Sequence, residues 1–386
     1  MSDVKHLESI DDIGQNAWDG LVPGSRFYQS HAWLRGQERP DFATAGYVTV
    51  MNDGALAAAT PYYDFPARTA PPLPDVAQGY RVLRVGTRTG NHNEFLVSEN
   101  PGRESENPGR VSEDPEKARE LLGDLVAGVA EKAADLGCDA LLFDCLTTDS
   151  LRRLAGLYPV QAQLRAAEAV LRNDGGTFAS YRGMLGRNAV KRDYEIRRFE
   201  NSGLRMETAP LSECVDEFAP LVGQTMDRYS ASLDPAEIHA FLSVQARCLD
   251  GLSTVFRCVD EEGRLVGGNL CFAWRDTFYA RVAGFDYTRT RNAFEYFNAV
   301  YYAPLRHMEG AGMTSLHLGL SALEAKVRRG ASVCPLWAAV VPLPLTANAG
   351  LRRDVAADRK LADALMTEAG GGTDPEEWDL ASIGPL

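Results

Sequence analysis

No C-x-x-C pair occurs in this chain, and none of its cysteines (Cys138, Cys145, Cys214, Cys248, Cys258, Cys271 and Cys334) stands at metal-ligand spacing from a histidine. An odd, scattered set of this kind excludes a disulfide framework and reads as reduced core thiols of a cytoplasmic protein. None is set among groups that would lower its pKa, which disfavours a catalytic thiol. A Ser-His-Asp arrangement and a metal cluster are equally unreadable, so no metal and no tightly bound cofactor are expected. The opening MSDVKHLESIDDIGQ lacks the basic start and apolar core of a secretory signal and the amphipathic pattern of a transit sequence. The most plausible membrane candidate, the uncharged run Cys334 to Leu351, is interrupted by Pro335, Pro342 and Pro344. It reads as a buried strand followed by a turn, and no membrane span is expected.

Positive charge is also in deficit. A net charge of −13 argues by itself against a nucleic-acid partner. Its distribution is uneven: seven basic residues face three acidic ones from Arg182 to Arg205, and eight face five from Arg275 to Arg329. Either segment alone is an ordinary solvated helix face, but both fall in the second half of the chain.

What is present is material for two domains. A length of 386 residues exceeds the size at which one core keeps growing, and 45% hydrophobic with 24% charged residues is ordinary for a folded protein. A helix around His31 to Gln37 precedes a hairpin of Ala45–Met51 and Ala55–Tyr63 about the turn Asn52-Asp53-Gly54. A further strand pair is expected at Tyr80–Val85 and Glu94–Val97. The imperfect seven-residue duplication in Glu99 to Lys117 offers nothing to bury except Val111 and predicts a mobile acidic loop. Leu121, Leu125, Val129 and Ala133 then mark a helix from Ala118 to Leu136, with Ala140–Phe143 as the next strand.

The turn cluster Asn173 to Gly176 suggests a boundary, giving lobes of residues 1–172 and 173–346 and a helical tail of 347–386. The helix expected after it, Phe178 to Glu200, sets Leu185, Ala189, Ile196 and Phe199 on one face and Arg187, Lys191, Tyr194 and Arg198 on another. Strands are expected at Thr254–Val259, Leu265–Trp274 and Thr277–Gly284. Asn292 with Glu295 reads as a capping box opening a helix from Phe294 to Met308, and Ser321 with Glu324 as another. The second opens a short helix carrying Lys326, Arg328 and Arg329 between the core strands Ser315–Leu318 and Val333–Val341. Cations set so close to core strands point to function, helix-dipole pairing being the alternative. His317, alternating with Leu316 and Leu318, reads as a structural histidine.

Four segments, in this order, resemble one family. They are Phe27-Tyr28-Gln29-Ser30 with Trp33; Thr177 to Tyr181 with Arg187 to Arg192 and Arg197-Arg198-Phe199; Tyr279-Ala280-Arg281 with Gly284 and Asp286; and Lys326 to Gly330. Spanning most of residues 25–345, they resemble the Fem-like branch of the GNAT superfamily. The resemblance implies an α/β (α+β) fold of tandem GNAT-like acetyltransferase lobes, mixed twisted sheets flanked by helices. It also implies amide-bond formation between an activated acyl or aminoacyl donor and the amine of a small molecule, as in peptidoglycan-bridge or natural-product synthesis. Lys326 would stabilise the tetrahedral intermediate, with Asp286 and Tyr279 as further catalytic candidates. Arg281, Arg289, Arg291, Asn298, Tyr302, Arg328 and Arg329 would hold donor or substrate, joined by His92, Asn93 and Glu94 from the first lobe, and Arg187, Lys191 and Arg198 would track a tRNA.

Departures from the family pattern bear on the donor. The GNAT phosphate loop reads Arg/Gln-x-x-Gly-x-Gly/Ala, whereas this chain has Arg289-Thr290-Arg291-Asn292-Ala293-Phe294, with side chains at both glycine positions. Gln37 stands where cell-wall members carry a lysine, with Arg35 nearby, and no inserted helical arm is present. The altered loop and basic faces favour aminoacyl-tRNA; overall acidity and the missing arm favour an acyl-CoA. A non-catalytic binding protein on a degenerate scaffold is the reading from a different class.

Overall fold

The computed structural model describes residues 3–90, 92–98, 115–229, 233–346, 350–370 and Trp378. Most of the expected loop Glu99 to Lys117 lies outside these residues, and a helix already begins at Pro115. The chain divides into two compact units. One comprises Met1–Glu168, Leu320–Glu324 and Val333–Leu386, the other Ala169–Gly319 and Ala325–Ser332. The strand and tail after Val333 therefore join the first unit, although they follow the second in sequence.

Strands are numbered in chain order. They are β1 (Asp3–Leu7), β2 (Thr44–Asn52), β3 (Ala55–Asp64), β4 (Val82–Val85), β5 (Leu96–Val97), β6 (Ala140–Leu146) and β7 (Pro159–Arg172). There follow β8 (Arg205–Ala209), β9 (Ser253–Val259), β10 (Leu265–Trp274), β11 (Thr277–Phe285), β12 (Ser315–Gly319), β13 (Ser332–Pro342) and β14 (Gly350–Arg353).

In the first unit β2 and β3 form the expected hairpin, with Asp53 and Gly54 both at positive φ (49° and 82°), the geometry of a two-residue turn that matches strand twist. The sheet runs β1-β2-β3-β4-β6-β13-β7, and β14 lies parallel to β7. The expected pairing of β4 with β5 does not form: β5 pairs with β3, and both edges of β4 are taken, one by β3 and the other by β6 in parallel. Helix Pro115–Asp135 buries Leu121, Leu125, Val129 and Ala133 and packs across β2 and β3. Gly128 permits the approach, since a Cβ there would lie 2.7 Å from Val4 and 2.9 Å from Val48.

In the second unit the end of β7 pairs with β12, and the order continues β12-β11-β10-β9-β8. All neighbours are antiparallel except β11 and β12, which are parallel. Helix Val215–Arg228 packs on β10 and β11, and helix Pro235–Leu249 packs on it in turn. The helix expected from Phe178 to Glu200 is two helices, Phe178–Leu185 and Ala189–Glu200, broken where Gly186 takes a φ of 53°. Leu185, Ala189, Ile196 and Phe199 are nonetheless its buried face. Among the described residues no helix is long and apolar enough to cross a membrane.

Candidate functional site

Parallel pairing of β11 with β12 covers only Thr277–Ser315, Phe278–Leu316 and Tyr279–His317. Beyond this point both strands are irregular. Arg281 is the extra residue of a bulge on β11, between Ala280 opposite Cys271 and Val282 opposite Leu270. On β12 the register against β7 shifts between His317 and Gly319. Bulges end pairing and re-aim side chains. Tyr279 and His317, both buried, stack their rings at 5.0 Å on the last rung.

From β12 the chain turns through Gly319 (φ 71°) and Ala322 (φ 58°) into helix Leu323–Val327. The expected capping box is absent. Ala322 in the left-handed region takes the backbone out of capping geometry, Ser321 is exposed, and the Leu323 amide donates instead to the Glu368 carboxylate at 2.9 Å. Lys326 and Arg329 are buried while Arg328 is exposed. The Lys326 ammonium donates to the Gly319 carbonyl at 2.9 Å, which holds the cation at the end of β12.

Arg329 reaches a centre that sequence reasoning did not single out. Its Nη2 donates to Glu195 Oε2 at 2.8 Å, its Nε to the Tyr302 hydroxyl at 3.2 Å, and its Nη1 to the Ala325 carbonyl at 2.8 Å. Its guanidinium lies 3.4 Å from the centre of the Phe297 ring. Glu195 also accepts from the Tyr302 hydroxyl and, at 3.1 Å, from Arg192 Nη1. Asn298 Nδ2 donates to the Phe294 carbonyl at 3.0 Å and to that of Glu195 at 3.4 Å. The structure thus gathers Tyr302 and Arg329 about the Glu195 carboxylate, with Asn298 on the backbone carbonyl of the same residue. Asn298–Tyr302 form a π turn, all buried, between the helical segments Glu295–Phe297 and Ala303–Ala311. Burial pushes the Tyr302 hydroxyl up to about 12, against the pull of Arg329. The available signal was the spacing Arg192, Glu195, Ile196, Phe199, which puts both charges on the packed face.

The candidate phosphate-binding arginines have protein partners. Arg289 Nε lies 3.4 Å from Asp286 Oδ2, while Asp286 Oδ1 accepts from the Thr288 amide at 3.0 Å and its hydroxyl at 2.6 Å. Arg291 pairs with Glu261 and donates to the Ser202 carbonyl at 2.5 Å. The hydrogen bond from Arg291 holds the Glu261 carboxyl at about 2. Asn292 does not cap the following helix. It and Phe294 take left-handed φ (54° and 61°), and Glu295 itself reaches back to the amides of Arg291 at 2.5 Å and Ala293 at 3.0 Å. The Arg281 guanidinium lies over the Phe241 ring at 5.5 Å. Arg187, Lys191, Tyr194 and Arg198 are exposed on one side of the two-helix segment, and Tyr194 meets Phe294 edge-on at 5.9 Å.

In the first unit, His92 and Glu168 are buried together, with 2.8 Å between Nδ1 and Oε2. Asn93 donates to the Asp144 carbonyl at 2.7 Å. Glu94 pairs with Arg26, and its backbone is held at both N–H and C=O by the Gln29 side chain. Gln37 is buried and accepts from the Thr89 hydroxyl at 2.5 Å, while Arg35 pairs with Asp11 at the surface. A Ser-His-Asp series that the sequence did not reveal lies on the surface of the second unit. His239 contacts Asp216 at 2.8 Å and Ser243 at 3.4 Å. Asp216 is 97% exposed, so water solvates the carboxylate that would have to stabilise an imidazolium, and the series lacks the burial nucleophilic catalysis needs.

No family model and no curated protein matches this sequence. Solved structures do. The crystal structure of FemX superposes with a TM-score of 0.62 at 13% identity, covering 87% of this chain and 96% of its own. The fold is the Fem-like, two-lobed GNAT fold. A conserved protein of unknown function from Bacteroides thetaiotaomicron also matches, with a TM-score of 0.55 at 10% identity over 89% of this chain and 100% of its own. A tandem GNAT protein from the clavulanic acid biosynthesis pathway is similar at a TM-score of 0.47 and 13% identity, over 88% and 98%. On this Fem-like fold, Lys326, Tyr279 and the Arg329 network all belong to the second unit.

Proposed function

We propose that the protein is an N-acyltransferase that joins an activated acyl group, favourably the aminoacyl ester of a tRNA, to the amine of a small molecule. The observation that carries this reading is the Lys326 ammonium, buried and fixed on the Gly319 carbonyl where the β11–β12 pairing has ended. A cation held there by rigid structure suits the oxyanion formed when an amine attacks an ester carbonyl. The nitrogen forms the new C–N bond, the carbonyl electron pair moves to oxygen, and collapse expels the ribose hydroxyl, which takes up the proton that the amine loses. Tyr279, on the last paired rung of β11, is the further group proposed beside that centre, whereas Asp286 follows the end of β11 with its carboxylate held by Thr288 and Arg289. Arg329, Glu195 and Tyr302 position the helix bearing Lys326. The exposed row Arg187, Lys191 and Arg198, with Tyr194 among them, suits a phosphate backbone and favours tRNA as donor carrier. The test is to incubate purified protein with labelled aminoacyl-tRNA and labelled acyl-CoA separately, each with a pool of amines. Label appearing in amide product from charged tRNA, and lost in Lys326→Met, supports the reading; transfer from neither donor rejects it.

A further inference from the structure

The backbone between β11 and the helix starting at Glu295 is shaped to hold an anion, and the anion it holds is its own. Asn292 and Phe294 adopt left-handed φ with Ala293 between them, and the N–H groups of Arg291 and Ala293 converge on one carboxylate. Both oxygens of Glu295 are engaged there, Oε1 by the Arg291 amide at 2.5 Å and Oε2 by the Ala293 amide at 3.0 Å, and the residue is only 5% exposed. A buried carboxylate with two backbone donors is a strong charge-assisted contact. The neighbouring cations are turned elsewhere: Arg291 to Glu261 and Arg289 to Asp286. A diphosphate arriving at this helix start would meet donors already satisfied, a fixed negative charge and no uncommitted arginine in the loop.

We propose that Glu295 is a specificity-determining residue, whose carboxylate fills the anion site at the helix start and excludes acyl donors carried on a nucleotide diphosphate. The inference rests on the acyl-transfer reading of the second unit and deepens it. Donors whose activating ester brings no diphosphate to this loop are admitted; coenzyme A thioesters are not.

The test is calorimetric titration of the full-length protein with coenzyme A, in the wild type, Glu295→Gln and Glu295→Ala, with a melting temperature for each preparation. Wild type is expected to show no binding up to millimolar coenzyme A. Glu295→Gln keeps the shape and removes the charge, and is expected to bind on the order of tenfold more tightly than the wild-type limit. Glu295→Ala also opens the space and is expected to bind more tightly still, with inorganic pyrophosphate competing in both. Micromolar binding by wild type overturns the proposal, and so does a folded Glu295→Gln that binds no better than wild type. Either variant that melts cooperatively decides the comparison, Glu295→Gln being the milder change, and a folded variant that gains no affinity overturns the proposal. Absence of transfer from charged tRNA defeats the proposed reaction without altering this result, so the two failures are distinguishable.

Discussion

Arg329 and Glu195 form a buried ion pair, with 2.8 Å between Nη2 and Oε2 and side chains 3% and 2% exposed. Separated by most of the second unit's sequence, they join helix Ala189–Glu200 to the turn that follows Lys326. Removing one partner leaves the other charge uncompensated in a poorly solvated place. Glu195→Gln is therefore expected to cost about 3 to 5 kcal/mol, since both Arg329 and Arg192 lose their counter-charge. Arg329→Met should cost a similar amount, and the double variant should be less damaging than the sum of the singles. Urea unfolding of the four proteins checks this. A loss below about 1 kcal/mol for Glu195→Gln would show that the pair does not hold these elements together.

Much of this architecture is legible in the residues, where local chemistry decides it. The Asp53-Gly54 turn, the strands β9 to β11 and the packed face of Leu185, Ala189, Ile196 and Phe199 all follow from turn chemistry and periodicity. Strand β7 is another matter. Its inward residues alternate, but Ala162, Ala167 and Ala169 give a weak apolar signal, and its place depends on partners distant in sequence. The same holds for β13, whose pairing with β6 puts it in the first unit. At the site, Lys326 and Arg329 were visible as a cationic cluster, but Glu195 was hidden because a charged helix residue is ordinarily exposed. The misread capping boxes share one cause: Ala322 and Phe294 take positive φ, which nothing in their side chains announces.

Burial alone would push the Glu94 carboxyl up, but the charge and hydrogen bond of Arg26 outweigh it and hold the group below its ordinary value of 4.5. The stability this contributes is complete above the unfolded value and is lost as pH falls through the lower folded value. Wild type should therefore lose stability more steeply than Glu94→Gln on acidification from about pH 5 to about pH 3. Thermal melts of both proteins across this range read the difference; parallel curves would show that the Arg26 pair carries no pH-dependent stability.

Arg187, Lys191 and Arg198 are exposed and off the packed face, so reversing their charges should leave the melting behaviour within about 0.5 kcal/mol of wild type. Affinity for tRNA should fall. If each contacts a phosphate, the slope of log K against log salt should shrink by roughly 0.7 to 0.9 per residue, about two to three in the triple variant. Filter binding over a salt series measures it. An unchanged slope, or no binding by wild type, would remove this face from donor recognition.

Lys326 offers the most direct separation of chemistry from structure. Its ammonium is buried and donates to the Gly319 carbonyl, and Lys326→Met replaces it by a side chain of similar length that needs no solvation. The stability change should accordingly stay near 1 kcal/mol. If the cation meets the oxyanion of the tetrahedral intermediate, turnover should nonetheless fall by roughly a hundred- to a thousand-fold, about 3 to 4 kcal/mol of transition-state stabilisation, with donor affinity nearly unchanged. Lys326→Arg should restore only part of the rate, because a planar guanidinium cannot place its charge at the same point. A helix-end cation with no role in the reaction predicts the opposite: near-normal turnover with a modest stability loss from the missing dipole partner. Turnover and melting temperature measured on the same Lys326→Met preparation distinguish the two, and a stable, fully active variant would end the oxyanion assignment.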